Sequence, residues 1–453
     1  MADRATGRLS PLRRNPGFAL LFWATAGSAI GTYLAALALS VDIFDRTGSG
    51  EWLAVLLIAD FLPIVAIGIG LGPLVDRLSR RRLMVVSDLV RALTFAALPF
   101  VERPGLIVAL AAVNGIATGF FRPAAWAGLP NLVPEEDREQ ATSLLSTVEH
   151  VAWTLGPVAA GAILAFNGPA AAYWVNAVTF VVSAALVARI PERSLRSEEP
   201  ITRGHWDDLR AGVGLVFRSR PLLAVLVAWN VSALATAFVN VAEVPLVKDD
   251  LGGGNIGLGF LVGATGVGLV IGSFFAASAL RRLGMRALYA GSLLLMAIGF
   301  GAASASPTVA VAAALAAFAT VGNGAAIVCN QLLVQAGAPD AMRGRALAVL
   351  MSTYYGVLGV SMAAGGLLVD ATSARVAWAA AGVVYLVSTV LAFALTRMPE
   401  DQAAANEAEP APPSGLERIH ALMTEIEQTR RREQDDVRAE SDSFARRGAE
   451  VSD

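Results

Sequence analysis

The sequence predicts an all-α membrane protein of twelve transmembrane helices, arranged as two pseudo-symmetric halves of six. Three observations lead there: a composition suited to hydrocarbon, apolar runs of spanning length that recur along the chain, and loops that match between the two halves. Of 453 residues, 55% are hydrophobic and 16% charged, with a mean hydropathy of +0.58, whereas a soluble chain carries about 25% charged residues. A bilayer is therefore the solvent that fits this chain.

The apolar runs, each close to the roughly 20 residues needed to cross about 30 Å of hydrocarbon as a helix, fall near 17 to 42, 52 to 75, 83 to 101, 105 to 129, 142 to 166 and 169 to 189, then 221 to 246, 255 to 279, 287 to 305, 308 to 332, 346 to 369 and 376 to 396. The leader MADRATGRLSPLRRNPGF is arginine-rich and lacks a small-residue cleavage site after a short apolar core, so it reads as a lead into the first span and not as a removed signal peptide. The division that follows is a first half over 1–190, a linker over 191–220, a second half over 221–398 and a tail over 399–453.

Two loops support the duplication. PEEDREQA from Pro134 and PDAMRGRA from Pro339 place Pro, Arg and Ala at the same relative positions, and Arg77 and Arg82 are matched by Arg281 and Arg286 at nearly the same offset. Parallel repeats of this kind place a ligand at the interface between halves. With the N-terminus inside, and the tail beyond Arg397 left out, the inner side carries about 22 basic residues against Arg46, Arg103, Lys248 and Arg375 outside, so the arginine bias puts both termini in the cytoplasm of a cell (inner) membrane. The tail is rich in Ala, Glu and Pro, which favours disorder; within it Ser414 and Glu417 form a capping box before a stripe of Leu416, Ile419, Met423 and Ile426, read as a solvated helix or as a surface for a partner.

Composition also excludes. Net charge is −2 and Lys248 is the only lysine, so no basic field exists for nucleic acid. With that single lysine the chain holds no GxxxxGK phosphate loop. Cys329 is the only cysteine and the histidines are His150, His205 and His420, so neither a disulfide framework nor a metal cluster nor a cofactor is expected. No GxSxG elbow or catalytic carboxylate pair argues for an enzyme.

The second inner loop, GPLVDRLSRRR from Gly72, resembles the signature loop of the major facilitator superfamily, with Gly72, Asp76, Arg77, Arg80 and Arg81 at the matching positions and Ser79 where glycine is usual. The resemblance implies a charge latch at the inner ends of spans two and three, with Asp76 facing the positive N-terminal end of span eleven and holding the outward-open state together. Leu280 stands at the aspartate position of the second copy, so the latch is complete in one half only. AWTLGPVAAG from Ala152 is similar to the antiporter motif of drug exporters in that superfamily, through Gly156, Pro157 and Gly161. The plain alternative is a packing helix loosened by glycine and proline. SDLVRA, FFRPA and LVPEEDR look like the branch containing macrolide and siderophore efflux proteins; Thr32, after Gly31, stands where that branch often has an acid.

Charges inside a membrane are costly and mark function by default. Asp60 in span two and Glu149 with His150 in span five are the candidate proton carriers, since a lone carboxylate withdrawn from water can exchange protons near neutral pH and histidine titrates there. Asp88 and Arg91, also candidates for proton coupling, lie three apart on one face of span three, with a mutually neutralising structural pair as the alternative; Arg122 reads as a snorkelling arginine, and Asp42 and Glu243 as solvated. Tyr33, Asn114, Trp153, Trp229, Asn230, Asn240 and Asn323 are the candidate cavity residues, with the alternative that such polar groups only join helices. The resemblance thus implies a monomeric proton-coupled exporter of amphipathic or hydrophobic small molecules. The alternatives left open are a dedicated carrier of one metabolite, for export or uptake, and a non-transporting signalling or scaffold protein that uses its tail.

Overall fold

The computed structural model of the chain describes residues 10–70, 78–195 and 205–396, and every regular element among them is helical. After a short turn of helix at Ser10–Arg14 come α1 (Pro16–Thr47), α2 (Gly50–Gly70), α3 (Arg80–Ala97) and α4 (Pro104–Gly128). Glu135–Ala188 runs on for 54 residues but is broken at Gly168, where φ is 71° and ψ −179°. A single helix of that length would measure about 80 Å, far more than a bilayer. It is two helices, α5 (135–167) and α6 (169–188), joined by one residue in a conformation that essentially only glycine adopts.

The second half opens with α7 (Arg220–Pro245). Gly254–Ala303 repeats the same device, broken at Gly284 with φ 74° and ψ 165° into α8 (254–283) and α9 (285–303). The chain then forms α10 (Val309–Gly337), α11 (Asp340–Ala371) and α12 (Ala374–Leu395). Ten continuous helices among the described residues are long and apolar enough to cross a membrane, and with the two breaks counted they make the twelve expected spans. Their large apolar side chains, including Leu93, Phe166, Phe274 and Val390, are exposed, as they must be where the solvent is lipid.

Two boundaries differ from expectation for a common reason. Helix α5 begins at Glu135 and α11 at Asp340, each about two turns before the apolar run, because Pro134 and Pro339 occupy equivalent N-cap positions and acidic first-turn residues such as Glu135 and Asp137 suit a helix N-terminus. Hydropathy cannot see a polar extension of this kind. The linker is likewise more than a tether: it contains a helix, His205–Arg218, whose Val216 is buried and whose Gly212 lies against the backbone of Arg345 and the side chain of Val349 in α11.

The duplication appears in the packing. In the first half Phe95 of α3 meets Tyr173 and Phe180 of α6, with ring centres 6.2 and 5.9 Å apart. Exactly parallel contacts join Phe300 of α9 to Trp378 and Tyr385 of α12, at 5.4 and 5.8 Å. All three positions are displaced by 205 residues, the offset of the two matching loops. Tyr173 then reaches α1 through Asp42 at 2.9 Å, and Trp378 reaches α7 through the Val239 carbonyl at 3.3 Å. The same aromatic wedge thus orders α1, α3 and α6, and again α7, α9 and α12.

Candidate functional site

The two sixes meet along α2 with α11 and along α5 with α8. At the end of the bundle opposite the arginine-rich loops, the N-terminus of α2 is clamped by Asp370 from the C-terminal turn of α11. Its carboxylate accepts from Gly50 N at 2.6 Å, Glu51 N at 2.9 Å and Ser49 Oγ at 2.7 Å. Lys248 donates to Asp45 at 2.5 Å across the same end. Gly161 and Gly259 bring α5 and α8 together so closely that a Cβ on Gly161 would stand 2.5 Å from the Gly259 Cα. Further along, Phe61 of α2 touches Tyr355 of α11 at mid-height, 5.3 Å between ring centres.

From that level toward the arginine-rich end lie the charged groups that face the interface. Arg122 of α4 donates to Glu149 of α5 at 3.0 Å, the arginine side chain 47% exposed and the carboxylate 20%. The hydroxyls of Tyr33 on α1 and Tyr355 on α11 are within electrostatic reach of Arg122. Trp153 lies one turn beyond Glu149 on the same stripe of α5 and is 43% exposed. The antiporter-type Gly156 seats α5 against α1: a Cβ there would stand 2.7 Å from Tyr33 Cβ. Arg122 therefore does not snorkel; it is half of an interhelical ion pair. The sequence missed that pairing because the partners lie 27 residues apart on different helices.

The positions 205 residues on from Arg122 and Glu149 are Ile327 and Tyr354. Both line a cleft of about 30 Å³ within the second half, with Trp229, Ser232 and Thr236 of α7, Tyr289 of α9, and Asn323 and Asn330 of α10. Trp229 and Tyr354 form one wall, their ring centres 5.0 Å apart. Where the first half presents an ion pair, the second presents a neutral cleft with aromatic walls.

The remaining expected residues divide among other places. Gly72, Asp76 and Arg77 lie outside the described residues, as does the side chain of His150. Arg81 donates to the Ala188 carbonyl at the end of α6 and Arg80 to that of Leu195 in the short turn after it, at 3.4 Å, so both hold α3 within their own half; Ser79, where the signature has glycine, caps α3 by accepting from Arg82 N. Asp60 accepts from Asn114 Nδ2 at 2.8 Å, which makes Asn114 a buried partner and not a cavity group. Asp88 and Arg91 form a buried ion pair, with Arg91 also over the rings of Phe121 and Phe180 at 4.5 and 4.2 Å. Asn230 bonds the Leu226 carbonyl and Thr353, while Asn240 is exposed on α7. Asp42 is not solvated: it is 5% exposed and held by Arg46 at 2.7 Å and Tyr173. Glu243 is half-buried.

Comparison with known proteins agrees with this architecture. Residues 6–421 match the family described as transmembrane secretion effector. The chain is 26% identical over 408 residues to the multidrug efflux pump Tap of Mycolicibacterium fortuitum, covering 86% of this chain and 97% of that one. It is 27% identical over 373 residues to the MFS-type transporter YfiS of Bacillus subtilis (strain 168), covering 80% and 88%. Among solved structures, a bacterial homologue of the iron transporter ferroportin in an inward-facing state superposes with a TM-score of 0.67 at 16% identity, covering 84% and 99%. Paired six-helix halves, an interface lined by charge and aromatic rings, and a match over nearly the whole chain agree: this is an integral membrane protein of the transmembrane secretion effector family, a transporter of the major facilitator superfamily.

Proposed function

We propose that this transporter is a proton-coupled exporter of amphipathic or hydrophobic small molecules, drugs among them, working as a monomer in a bacterial cell membrane with both termini in the cytoplasm. The observation that carries this reading is the Arg122–Glu149 pair. An ion pair facing an interface lined by tyrosine and tryptophan is charge placed where the two halves separate, and charge within a membrane marks the paths of substrates and protons. Asp60, bonded to Asn114 inside the same half, is the second carrier. The arginine bias makes the clamped end the extracellular one, so the state described here takes substrate from the cytoplasm. Alternating access follows by the two halves rocking about their shared interface. The relatives named as efflux pumps support the outward direction.

The test is transport into proteoliposomes under an imposed pH gradient, with lipophilic cations and siderophores as the panel. Wild type concentrates at least one class of substrate, and Glu149→Gln and Asp60→Asn reduce that accumulation to the level reached without a gradient. Uphill transport that survives both substitutions refutes these carriers. Removal of the tail beyond 399 leaves transport intact on this reading and abolishes function in a scaffold.

A further inference from the structure

The cleft in the second half holds two carboxamides that the coupling machinery does not use. Asn323 and Asn330 lie seven residues apart, two turns of α10, and both line the cleft. Neither side chain makes a hydrogen bond with any described residue, and Asn330 is 5% exposed with its Oδ1 fully buried. An amide withdrawn from water without a partner costs free energy, a cost that falls on every state in which the partner is missing. Elsewhere the carboxamides of Asn114 and Asn230 each leave Oδ1 without a partner but donate through Nδ2, to Asp60 and to Thr353. The two α10 amides lack such bonds, and they lie beside the ring wall of Trp229 and Tyr354.

We infer that this cleft is a substrate subsite for a neutral hydrogen-bonding group, a hydroxyl, amide or amine N–H carried on an aromatic or apolar body, read by Asn330 and Asn323 beside the Trp229–Tyr354 wall. The inference rests on the exporter reading and adds to it the kind of substrate preferred. Its position explains the division between halves. The ion pair responds to charge, and the cleft at the equivalent position, lined by Ile327 and Tyr354, responds to shape and to one or two hydrogen bonds. The cleft's volume of about 30 Å³ suits the tip of a molecule, a group near the size of one water, with the body stacked on the rings outside it.

Two lipophilic cations separate the contributions. Ethidium carries aromatic amines that donate hydrogen bonds; tetraphenylphosphonium carries none. Equilibrium dialysis of the full chain in detergent measures both. Asn330→Ala weakens ethidium about tenfold, the size of one lost buried hydrogen bond, and leaves tetraphenylphosphonium within twofold; Asn323→Ala acts in the same direction. Ile327→Trp fills the cleft while both amides stay in the chain and gives the same selective loss, which keeps the test open should Asn330→Ala fold poorly. Equal loss of both cations, or unchanged ethidium affinity in all three variants, overturns the subsite alone. A wild-type chain that binds neither cation overturns the exporter reading together with it.

Discussion

The Asp370 clamp sets how often the sealed end of the bundle opens. In Asp370→Ala, three donors at the start of α2 lose their acceptor at once. The position works as an N-cap supplied from another helix, and removing an N-cap side chain costs typically about 1 kcal/mol. A carboxylate at a helix N-terminus adds about 0.3–1 kcal/mol, at the lower end here because Asp370 is exposed and salt screens it. The sum, about 1.5 kcal/mol, applies only to the state with this end closed, since α2 and α11 separate when it opens. At about 1.4 kcal/mol per factor of ten, the open population rises roughly tenfold. Asp370→Asn keeps an acceptor and loses the charge, so it falls between the two. Ala374, 4% exposed and part of the cleft beside Asp370, reports on opening: with Ala374→Cys as the only accessible thiol, Cys329 being buried, a membrane-impermeant maleimide labels in proportion to the open fraction. The expected order of rates is alanine, then asparagine, then aspartate, the first about ten times the last. Equal rates would show that the clamp does not hold this end closed, and the link between Asp370 and access would fail.

Other outcomes follow from the packing. Arg91→Leu and Asp88→Leu each leave an uncompensated charge within α3, at a cost of about 3–5 kcal/mol; both lower the yield of folded protein and its thermal midpoint, while Asp88→Leu with Arg91→Met in one chain recovers most of the loss, as fluorescence-detected gel filtration after heating will show. Tyr173→Phe removes a 2.9 Å bond to the buried Asp42 and costs about 1–3 kcal/mol; Trp378→Phe, at the repeated position, removes only a neutral bond to a carbonyl and lowers the midpoint less through that bond. Lys248→Ala breaks an exposed pair worth about 0.2–1 kcal/mol, so its effect on Ala374→Cys labelling is smaller than that of Asp370→Ala and disappears at high salt.

The helices were legible because a span must satisfy its backbone within one apolar run, and that constraint is written in about 20 consecutive residues. Even the one-residue joints at Gly168 and Gly284 fall between the runs. The Asp88–Arg91 pair was legible for the same reason: both partners lie within one turn. What the sequence did not disclose is whatever depends on which helices become neighbours. Arg122 and Glu149 belong to different spans, as do Asp60 and Asn114, and periodicity on one helix says nothing of the residue that arrives from another. Asp370 carries no signal in the sequence because its partner is a set of backbone N–H groups some 320 residues earlier. The 205-residue offset does hold part of this information: carried from the loops into the helices, it aligns Phe95 with Phe300 and Glu149 with Tyr354, and so marks where one half kept charge and the other gave it up.

At the crossing of α5 and α8, backbone rests on backbone: Gly161 lies on Gly259 with no side chain between them. Helices packed through interlocked side chains turn past one another in steps, each step lifting a ridge out of a groove. Two bare glycines present no ridge at the point of contact. The crossing can act as a smooth bearing, so the barrier to exchanging one open face for the other is set by the contacts at the rims. A single methyl group at either glycine would put a tooth in that bearing.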